Sequence, residues 1–182
     1  MTETPLSPPA EPGADSGRRD AYLTGVRLLG LRAHSVAELS RKLRRRGFGD
    51  LEVESAVARL TEQRYLDDAE FARSLAGRRG GSRGGASLAA ELTAKGVSRS
   101  MVQEVLATRD SEVEIAGAER HARSWLGRAA PGSMRSLLDI AGPRLLRRGY
   151  SPNVIREACR RVLAGWESPP RTGAVAEESI GV

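Results

Sequence analysis

The sequence predicts an all-α protein in which three tandem three-helix repeats form an elongated, curved array. The first observation is a motif, Leu-x-x-[Arg/Lys]-Gly followed by Phe, Val or Tyr, at residues 43–48, 92–97 and 145–150. Its glycines are 49 and 53 residues apart, an interval typical of tandem supersecondary units. The second observation is that the same apolar spacing follows each glycine with the 3.6-residue period of a helix. An extended modular surface is typical of a binding protein rather than an enzyme.

The domain organisation follows from composition. Residues 1–17 and 166–182 are poor in helical pattern and contain Pro and acidic residues, so we expect two disordered tails. Between them we place repeat 1 at residues 18–66, repeat 2 at 67–109 and repeat 3 at 110–165. No segment of the sequence has the pattern of a β-strand.

Repeat 1 is predicted to contain three helices. Tyr22, Val26 and Leu29 share one face of the first helix. The segment 35–38, Ser-Val-Ala-Glu, has the pattern of a capping box, in which Ser and Glu side chains satisfy free backbone amides of the first turn. The second helix then ends at Gly47, because glycine tolerates the left-handed conformation that follows a helix.

Two features of the later repeats interrupt the helical pattern. The Gly-rich segment Gly80–Gly85 has neither the Gly-Lys-[Ser/Thr] ending nor the preceding strand of a phosphate-binding loop, and its composition indicates a hinge. Pro143 falls inside the predicted second helix of repeat 3, where it would remove a hydrogen bond. We expect either a kink or a break at that point.

The charge distribution favours an anionic partner. The chain has 29 Lys and Arg against 23 Asp and Glu, for a net charge of +6. Residues 18–164 alone hold 28 cationic and 17 acidic side chains, whereas the tails hold six acids and Arg171. Such a basic body is typical of proteins that bind nucleic acid or an acidic protein groove. The alternative is a solvated surface in an Arg-rich chain, since Arg outnumbers Lys by 27 to 2.

Three groups of basic residues are the candidate binding sites for this anionic partner. They lie near the end of the second helix, around the Gly-rich segment, and in repeat 3: Arg41, Lys42, Arg44, Arg45 and Arg46; Arg78, Arg79 and Arg83; Arg147, Arg148, Arg160 and Arg161. The helix dipole explains one or two cations at a helix end, but not five within six residues. With seven aromatic residues in the chain, most of them assigned to packing, we expect contacts to phosphates rather than base stacking.

Catalytic and metal-binding chemistry is not expected. His34 and His121 lack neighbours at metal-ligand spacing, and no cofactor motif occurs. Asp67 and Asp68 are interpreted first as helix caps and second as a contact for a basic partner. No apolar run is long enough for a membrane span, and the N-terminus lacks a signal-peptide pattern, so a cytoplasmic location is expected.

The segment from residue 21 to 72 resembles the RecX regulatory proteins of bacteria. The residues that carry the resemblance are Ser35, Glu38-Leu39, Lys42-Leu43, Arg46-Gly47 and Tyr65-Leu66-Asp67-Asp68, together with the threefold motif. The resemblance covers residues 20–164. It implies a curved array and a non-enzymatic protein that lies in the groove of the RecA–single-stranded DNA filament and mainly inhibits RecA. The basic groups named above are then the expected contacts with RecA or DNA.

The sequence is also compatible with a second class of function. A sequence-neutral helical DNA-binding or nucleoid-associated protein would show the same basic surface, and would bind single- or double-stranded DNA through phosphates. We expect a monomer, because the pattern leaves no apolar face without a partner.

Overall fold

The computed structural model describes residues 12–126 and 132–166, with side chains described from residue 16. Within these ranges the chain forms nine α-helices and no strand. They are α1 Pro12–Leu31, α2 Val36–Arg44, α3 Asp50–Glu62, α4 Asp68–Arg79, α5 Gly85–Ala94, α6 Arg99–Ala107, α7 Ser111–Leu126, α8 Met134–Arg147 and α9 Pro152–Trp166. The all-α prediction is confirmed.

Three separate apolar cores correspond to three groups of three helices. The first is built from α1–α3 around Leu39, Leu43 and Leu60. The second is built from α4–α6 around Leu88 and Leu92, and the third from α7–α9, with Leu145 and Tyr150 among its buried residues. The predicted repeated apolar face is confirmed at the sixth and ninth positions after each glycine, which are buried: Val53, Ala56, Val102, Val105, Ile155 and Ala158. At the tenth position Cys159 is buried, and Val57 and Leu106 are partly buried against their cores.

The three motif glycines end α2, α5 and α8 in the same way. Their φ angles are +90° at Gly47, +85° at Gly96 and +84° at Gly149, the left-handed region that side chains disfavour. The residue after each glycine donates a backbone hydrogen bond to the motif leucine carbonyl, for example Val97 to Leu92 at 3.1 Å. The motif is therefore a helix C-cap used three times.

The contacts divide the described chain into two compact units. The first comprises residues 12–79 and 88–109, and the second comprises residues 80–87, 110–126 and 132–166. Within the first unit, the groups α1–α3 and α4–α6 are joined by polar contacts. The Val36 amide donates to Asp68 Oδ1 at 2.8 Å, and the Ser35 hydroxyl donates to the Lys95 carbonyl.

The start of α1 corrects two sequence predictions. Because α1 begins at Pro12, residues 12–17 of the predicted N-terminal tail are helical. Trp166, placed in the C-terminal tail, is likewise the last residue of α9, while residues 1–11 and 167–182 lie outside the described residues. The buried face of α1 is Ala21, Gly25 and Leu28, and Val26 is exposed. A Cβ atom at Gly25 would lie 2.7 Å from Leu60 Cδ1, so small residues on this face let α3 approach closely.

The Gly-rich segment is hydrogen-bonded within the second unit, so the poorly constrained backbone expected for it is not observed. Within the second unit, the Gly84 amide donates to the Arg148 carbonyl at 3.0 Å. The Gly85 amide donates to Glu114 Oε1 at 2.9 Å, and Arg120 donates to the Gly81 carbonyl at 3.1 Å. These glycines allow backbones to approach one another rather than leaving the chain unconstrained.

The structure tests two further local predictions, one at Pro143 and one at the start of α2. Pro143 lies on the exposed face of a continuous α8, so of the two expected outcomes, a kink or a break, the break does not occur. Ser35 caps α2 by accepting the Glu38 amide at 3.0 Å, as predicted. The Glu38 carboxylate does not complete the capping box, because it binds Arg32 at 2.9 Å and Lys95 at 3.2 Å instead.

Candidate functional site

The basic residues at the end of α2 form one compact set, here called the α2-end cluster: Arg41, Lys42, Arg44, Arg45 and Arg46. The four arginines are exposed and Lys42 is half-buried. The last turn of α2 ends at Arg44, where the negative end of the helix dipole favours cations. The structure thus brings together the five residues that the sequence grouped.

The arginines of the α2-end cluster have few acidic partners. Arg44 Nε lies 2.7 Å from Asp50 Oδ1, the one carboxylate among the described residues that pairs with the cluster. Arg41 donates to the Ala94 carbonyl at 3.5 Å, and Arg46 donates to the Lys42 carbonyl at 3.4 Å. The side chain of Arg45 has no hydrogen bond or ion pair with another described residue, while its backbone amide donates to the Arg41 carbonyl at 3.1 Å. The cluster keeps most of its positive charge available to a ligand.

Lys42 differs from its neighbours because it points toward a buried histidine. Its Nζ lies 2.7 Å from Nε2 of His34, whose side chain is buried. The His34 Nδ1–H donates to the Arg32 carbonyl at 2.8 Å, which leaves Nε2 to accept from the ammonium. Burial lowers the pKa of His34 and that of Lys42, with neighbouring cations acting in the same direction. His34 is therefore a neutral acceptor that orients Lys42.

Arg78 and Arg79 lie in the last turn of α4, in the first unit. Arg78 donates to Ser74 Oγ at 2.7 Å, and Arg79 pairs with Glu91 at 3.2 Å. Arg83 lies in the second unit, where it donates to Ser87 Oγ at 3.3 Å. Arg78 and Arg83 are exposed, whereas Arg79 is paired with a carboxylate of its own unit.

In the second unit, the basic end of α8 packs against an aromatic pair. The guanidinium carbons of Arg144 and Arg148 lie 5.5 and 5.8 Å from the Trp125 ring centroid, within cation–π range. The His121 ring stacks on Trp125 at 5.8 Å. Arg147 is exposed, and its side chain makes no hydrogen bond or ion pair with other described residues. Trp125 therefore positions two arginines while Arg147 is solvated.

Arg160 and Arg161 are occupied by carboxylates. Arg161 binds both oxygens of Glu112 at 2.8 and 3.0 Å and also pairs with Glu157 at 3.1 Å. Arg160 pairs with Glu157 as well. The hydrogen bonds that Arg161 donates to Glu112 and Glu157 raise the pKa of Arg161, and the bond from Arg161 lowers the pKa of Glu112. Arg161 thus ties α9 to α7.

Asp67 and Asp68 act as helix caps in this structure. Asp67 Oδ1 accepts the Ala69 and Glu70 amides at 2.8 and 2.9 Å, and these bonds, that of Glu70 first, lower the pKa of Asp67. Asp68 accepts the Val36 amide at the start of α2. Asp67 caps the helix that follows it, as its position in the sequence favours, whereas Asp68 accepts an amide of a different helix.

A basic groove that the sequence reasoning missed lies between α1 and α3. It has a volume of about 500 Å³ and is lined by Arg18, Arg19, Tyr22, Ser55, Ala56 and Arg59. Arg18 and Arg19 fall at the edge of the predicted tail, so they were not assigned to a surface. The adjacent Arg18-Arg19 pair one helical turn before Tyr22 is the signal that was available.

The described residues offer little for metal or thiol chemistry. They contain no group of three or more His, Cys, Asp or Glu side chains placed to hold a metal ion. Burial raises the pKa of the Cys159 thiol to about 11, so this side chain is a neutral core residue. None of the helices in the described ranges has the length and apolar character needed to cross a lipid bilayer.

Comparison with known proteins places the chain in a family. Residues 21–60 match the first three-helix domain of RecX, and residues 67–106 match its second three-helix domain. The chain is 36% identical over 165 residues to the regulatory protein RecX of Mycobacterium avium (strain 104), covering 88% of this chain and 93% of that protein. The chain belongs to the RecX family.

A second relative agrees with this membership, and two solved structures share the fold. The regulatory protein RecX of Mycobacterium sp. (strain JLS) is 34% identical over 176 residues, covering 91% of this chain and 96% of the relative. The RecX crystal structure from Lactobacillus salivarius has the same fold, with a TM-score of 0.73 at 16% identity, over 81% of this chain and 97% of that one. A second RecX crystal structure superposes with a TM-score of 0.71 at 21% identity, covering 85% and 79% of the two chains. The chain accordingly has a RecX regulatory role.

Proposed function

We propose that this protein binds the RecA–single-stranded DNA filament and mainly inhibits RecA activity, acting by binding rather than by catalysis. The observation that carries the proposal is the similarity to RecX regulatory proteins over most of the chain and most of each relative. RecA is the partner that membership of this family implies. The proposed location is the cytoplasm, where RecA filaments form.

The charge of the first unit supports an acidic or phosphate-bearing partner surface. The α2-end cluster places four exposed arginines on one helix end, with Asp50 as their acidic partner among the described residues. Like charges this close repel one another, and a carboxylate- or phosphate-rich surface would relieve that repulsion. We assign the principal filament contact to this cluster, with Arg45 at its centre.

The remaining predicted contact residues differ in exposure and in their ion pairs. Arg78, Arg83, Arg147 and Arg148 are exposed residues, so they stay candidates for secondary contacts. Arg79 and Arg161 pair with carboxylates of their own unit, and Arg160 shares Glu157 with Arg161. A partner would have to replace those ion pairs, so we place Arg79, Arg160 and Arg161 outside the main contact.

Inhibition follows if the protein contacts neighbouring RecA protomers in one filament geometry. A ligand shifts a conformational equilibrium by the difference between its affinities for the two states. Binding across adjacent protomers would thus favour the geometry that it fits and oppose the changes that accompany ATP hydrolysis.

The experiment that tests the proposal is a titration of RecA's single-stranded-DNA-dependent ATPase with the purified protein. We expect inhibition at a stoichiometry well below one molecule of this protein per RecA protomer, because each bound molecule affects adjacent protomers. A second titration with excess free oligonucleotide separates filament binding from competition for DNA, since only competition is relieved by added DNA. An ATPase rate unchanged at saturating protein contradicts the proposal.

A further inference from the structure

We propose that the groove between α1 and α3 binds the phosphate backbone of single-stranded nucleic acid through Arg18, Arg19 and Arg59. This inference does not depend on the proposed action on RecA. It concerns a surface that shares no residue with the α2-end cluster. The protein would then bind nucleic acid directly, without RecA.

The groove is strongly cationic. Three of its six lining residues are arginines, and none is a carboxylate. No hydrogen bond or ion pair joins the side chains of Arg18, Arg19 or Arg59 to another described residue. Ser55 adds an exposed hydroxyl that can donate a further hydrogen bond. Arginine, with its planar set of donors, is the side chain best suited to phosphate oxygens.

Part of the groove is preorganised by Tyr22. The Tyr22 hydroxyl donates to Gln63 Oε1 at 2.7 Å, which fixes the ring against α3. The guanidinium carbon of Arg59 lies 4.2 Å from the ring centroid, in a cation–π contact. Arg59 therefore loses less side-chain freedom when it binds a phosphate than an unrestrained arginine would.

The form of the groove favours a polymer over a small phosphate compound. Small-molecule sites are mostly apolar and bury most of their ligand. Here Ala56 and one face of Tyr22 are the apolar components, and Arg18, Arg19, Ser55 and Arg59 are exposed. An open groove lined with donors is typical of channels that follow a nucleic-acid backbone. Because nothing in it is placed to read base edges, binding is expected to be independent of sequence.

The test is the affinity for a fluorescent oligothymidylate of about 30 nucleotides, measured by anisotropy without RecA. The groove variant Arg18→Ala/Arg19→Ala/Arg59→Ala is compared with Arg27→Ala/Arg99→Ala/Arg135→Ala. Both variants lose three positive charges, and the control arginines are exposed and make no ion pair with other described residues. Far-UV circular dichroism verifies that each variant keeps its helix content.

The salt dependence of binding predicts how much affinity the groove variant should lose. Each phosphate contact on a single strand contributes about 0.7 to the slope of log affinity against log salt, so loss of three contacts lowers the slope by about two. Between about 0.05 and 0.2 M salt, those contacts account for about a 20-fold change in affinity. We expect the groove variant to lose about 20-fold or more at the lower salt, and the control variant about fivefold or less.

A charge-retaining variant and a competition experiment test the proposal further. The variant Arg18→Lys/Arg19→Lys/Arg59→Lys retains the charge, so it should bind within about fivefold of wild type. Thymidine monophosphate and inorganic pyrophosphate should displace the oligonucleotide only at high concentration. Efficient displacement by either compound would show a small-phosphate site and overturn the nucleic-acid assignment.

Two outcomes would overturn the inference directly. One is wild-type protein that does not bind the oligonucleotide even at the lower salt. The other is a groove variant that binds as the control variant does. Neither outcome bears on inhibition of the RecA ATPase, so failure of this inference and failure of the proposed function are distinguishable.

Discussion

Gly84 lies so close to Gly149 that a Cβ atom at residue 84 would be 2.2 Å from the Gly149 carbonyl oxygen. The Gly84 amide donates to the Arg148 carbonyl, and the Ala86 amide donates to the Gly149 carbonyl at 3.2 Å. The glycine-rich segment thus belongs to the packing of the second unit. Its glycines are needed for the close approach of backbone segments. From composition alone, this need cannot be distinguished from flexibility.

We expect Gly84→Ala to destabilise the protein. The added methyl group would meet backbone atoms, which cannot move as a side-chain end can, and overpacking of this kind costs about 1–3 kcal/mol. Gly77→Ala is the matched control, because a Cβ atom there has nothing within 4 Å and Gly77 lies inside α4. Alanine should stabilise that helix by about 0.5–1 kcal/mol. Chemical unfolding followed by circular dichroism measures both; equal stability of the two variants would contradict the packing role.

Asp68→Ala is expected to weaken the first unit. Asp68 Oδ1 accepts the Val36 amide at 2.8 Å, and without it this amide at the start of α2 loses its partner. Loss of a capping acceptor costs about 1–2 kcal/mol. Asp68→Asn keeps an acceptor oxygen and should recover most of the loss. If the Ala and Asn variants unfold at the same denaturant concentration, the hydrogen bond is not what Asp68 contributes.

The pH dependence of stability should include a contribution from Glu38. Burial alone would raise its pKa, but hydrogen bonds from Arg32 and Lys95 and their charges outweigh burial and lower the pKa from 4.5 to about 2. Because the folded-state pKa is lowered, this contribution is full above about pH 4.5 and is lost as the pH falls toward 2. Allowing for the half-exposed Arg32, its size is about 1–2 kcal/mol.

Glu38→Gln tests this contribution. The difference in unfolding free energy between wild type and variant should be largest near pH 6–7 and shrink between about pH 4.5 and 2. Glu54→Gln is the control, since Glu54 is exposed and has no ion pair with another described residue. A difference between wild type and the Glu38→Gln variant that stays constant across this pH range would show that the charge of Glu38 is not responsible.

Local sequence signals predicted the helix ends well. Glycine after Leu-x-x-[Arg/Lys] predicts a left-handed C-cap, and Gly47, Gly96 and Gly149 all have positive φ. The apolar period that follows each glycine predicted the buried faces of α3, α6 and α9. These features depend on residues within one or two helical turns, so the sequence contains all that is needed to recognise them.

Non-local partners explain what the sequence did not predict. Glu38 has the spacing of a capping box, but it binds Lys95, 57 residues away. The groove between α1 and α3 depends on Arg18 and Arg59, whose proximity follows only from the packing of α1 against α3. Likewise, the pairing of Arg161 with Glu112 is visible only once α7 and α9 are packed. The sequence grouped the arginines by position and could not tell the paired ones from the solvated ones.

The most direct test of the account is the affinity of RecA–single-stranded DNA filaments for the variant Arg44→Ala/Arg45→Ala/Arg46→Ala. The comparison is Arg27→Ala/Arg99→Ala/Arg135→Ala, which loses the same charge elsewhere. We predict that the first variant binds filaments at least about tenfold more weakly, while the second stays within about threefold of wild type. Equal affinity of the two variants, with helix content intact, would contradict the assignment of the filament contact to the end of α2.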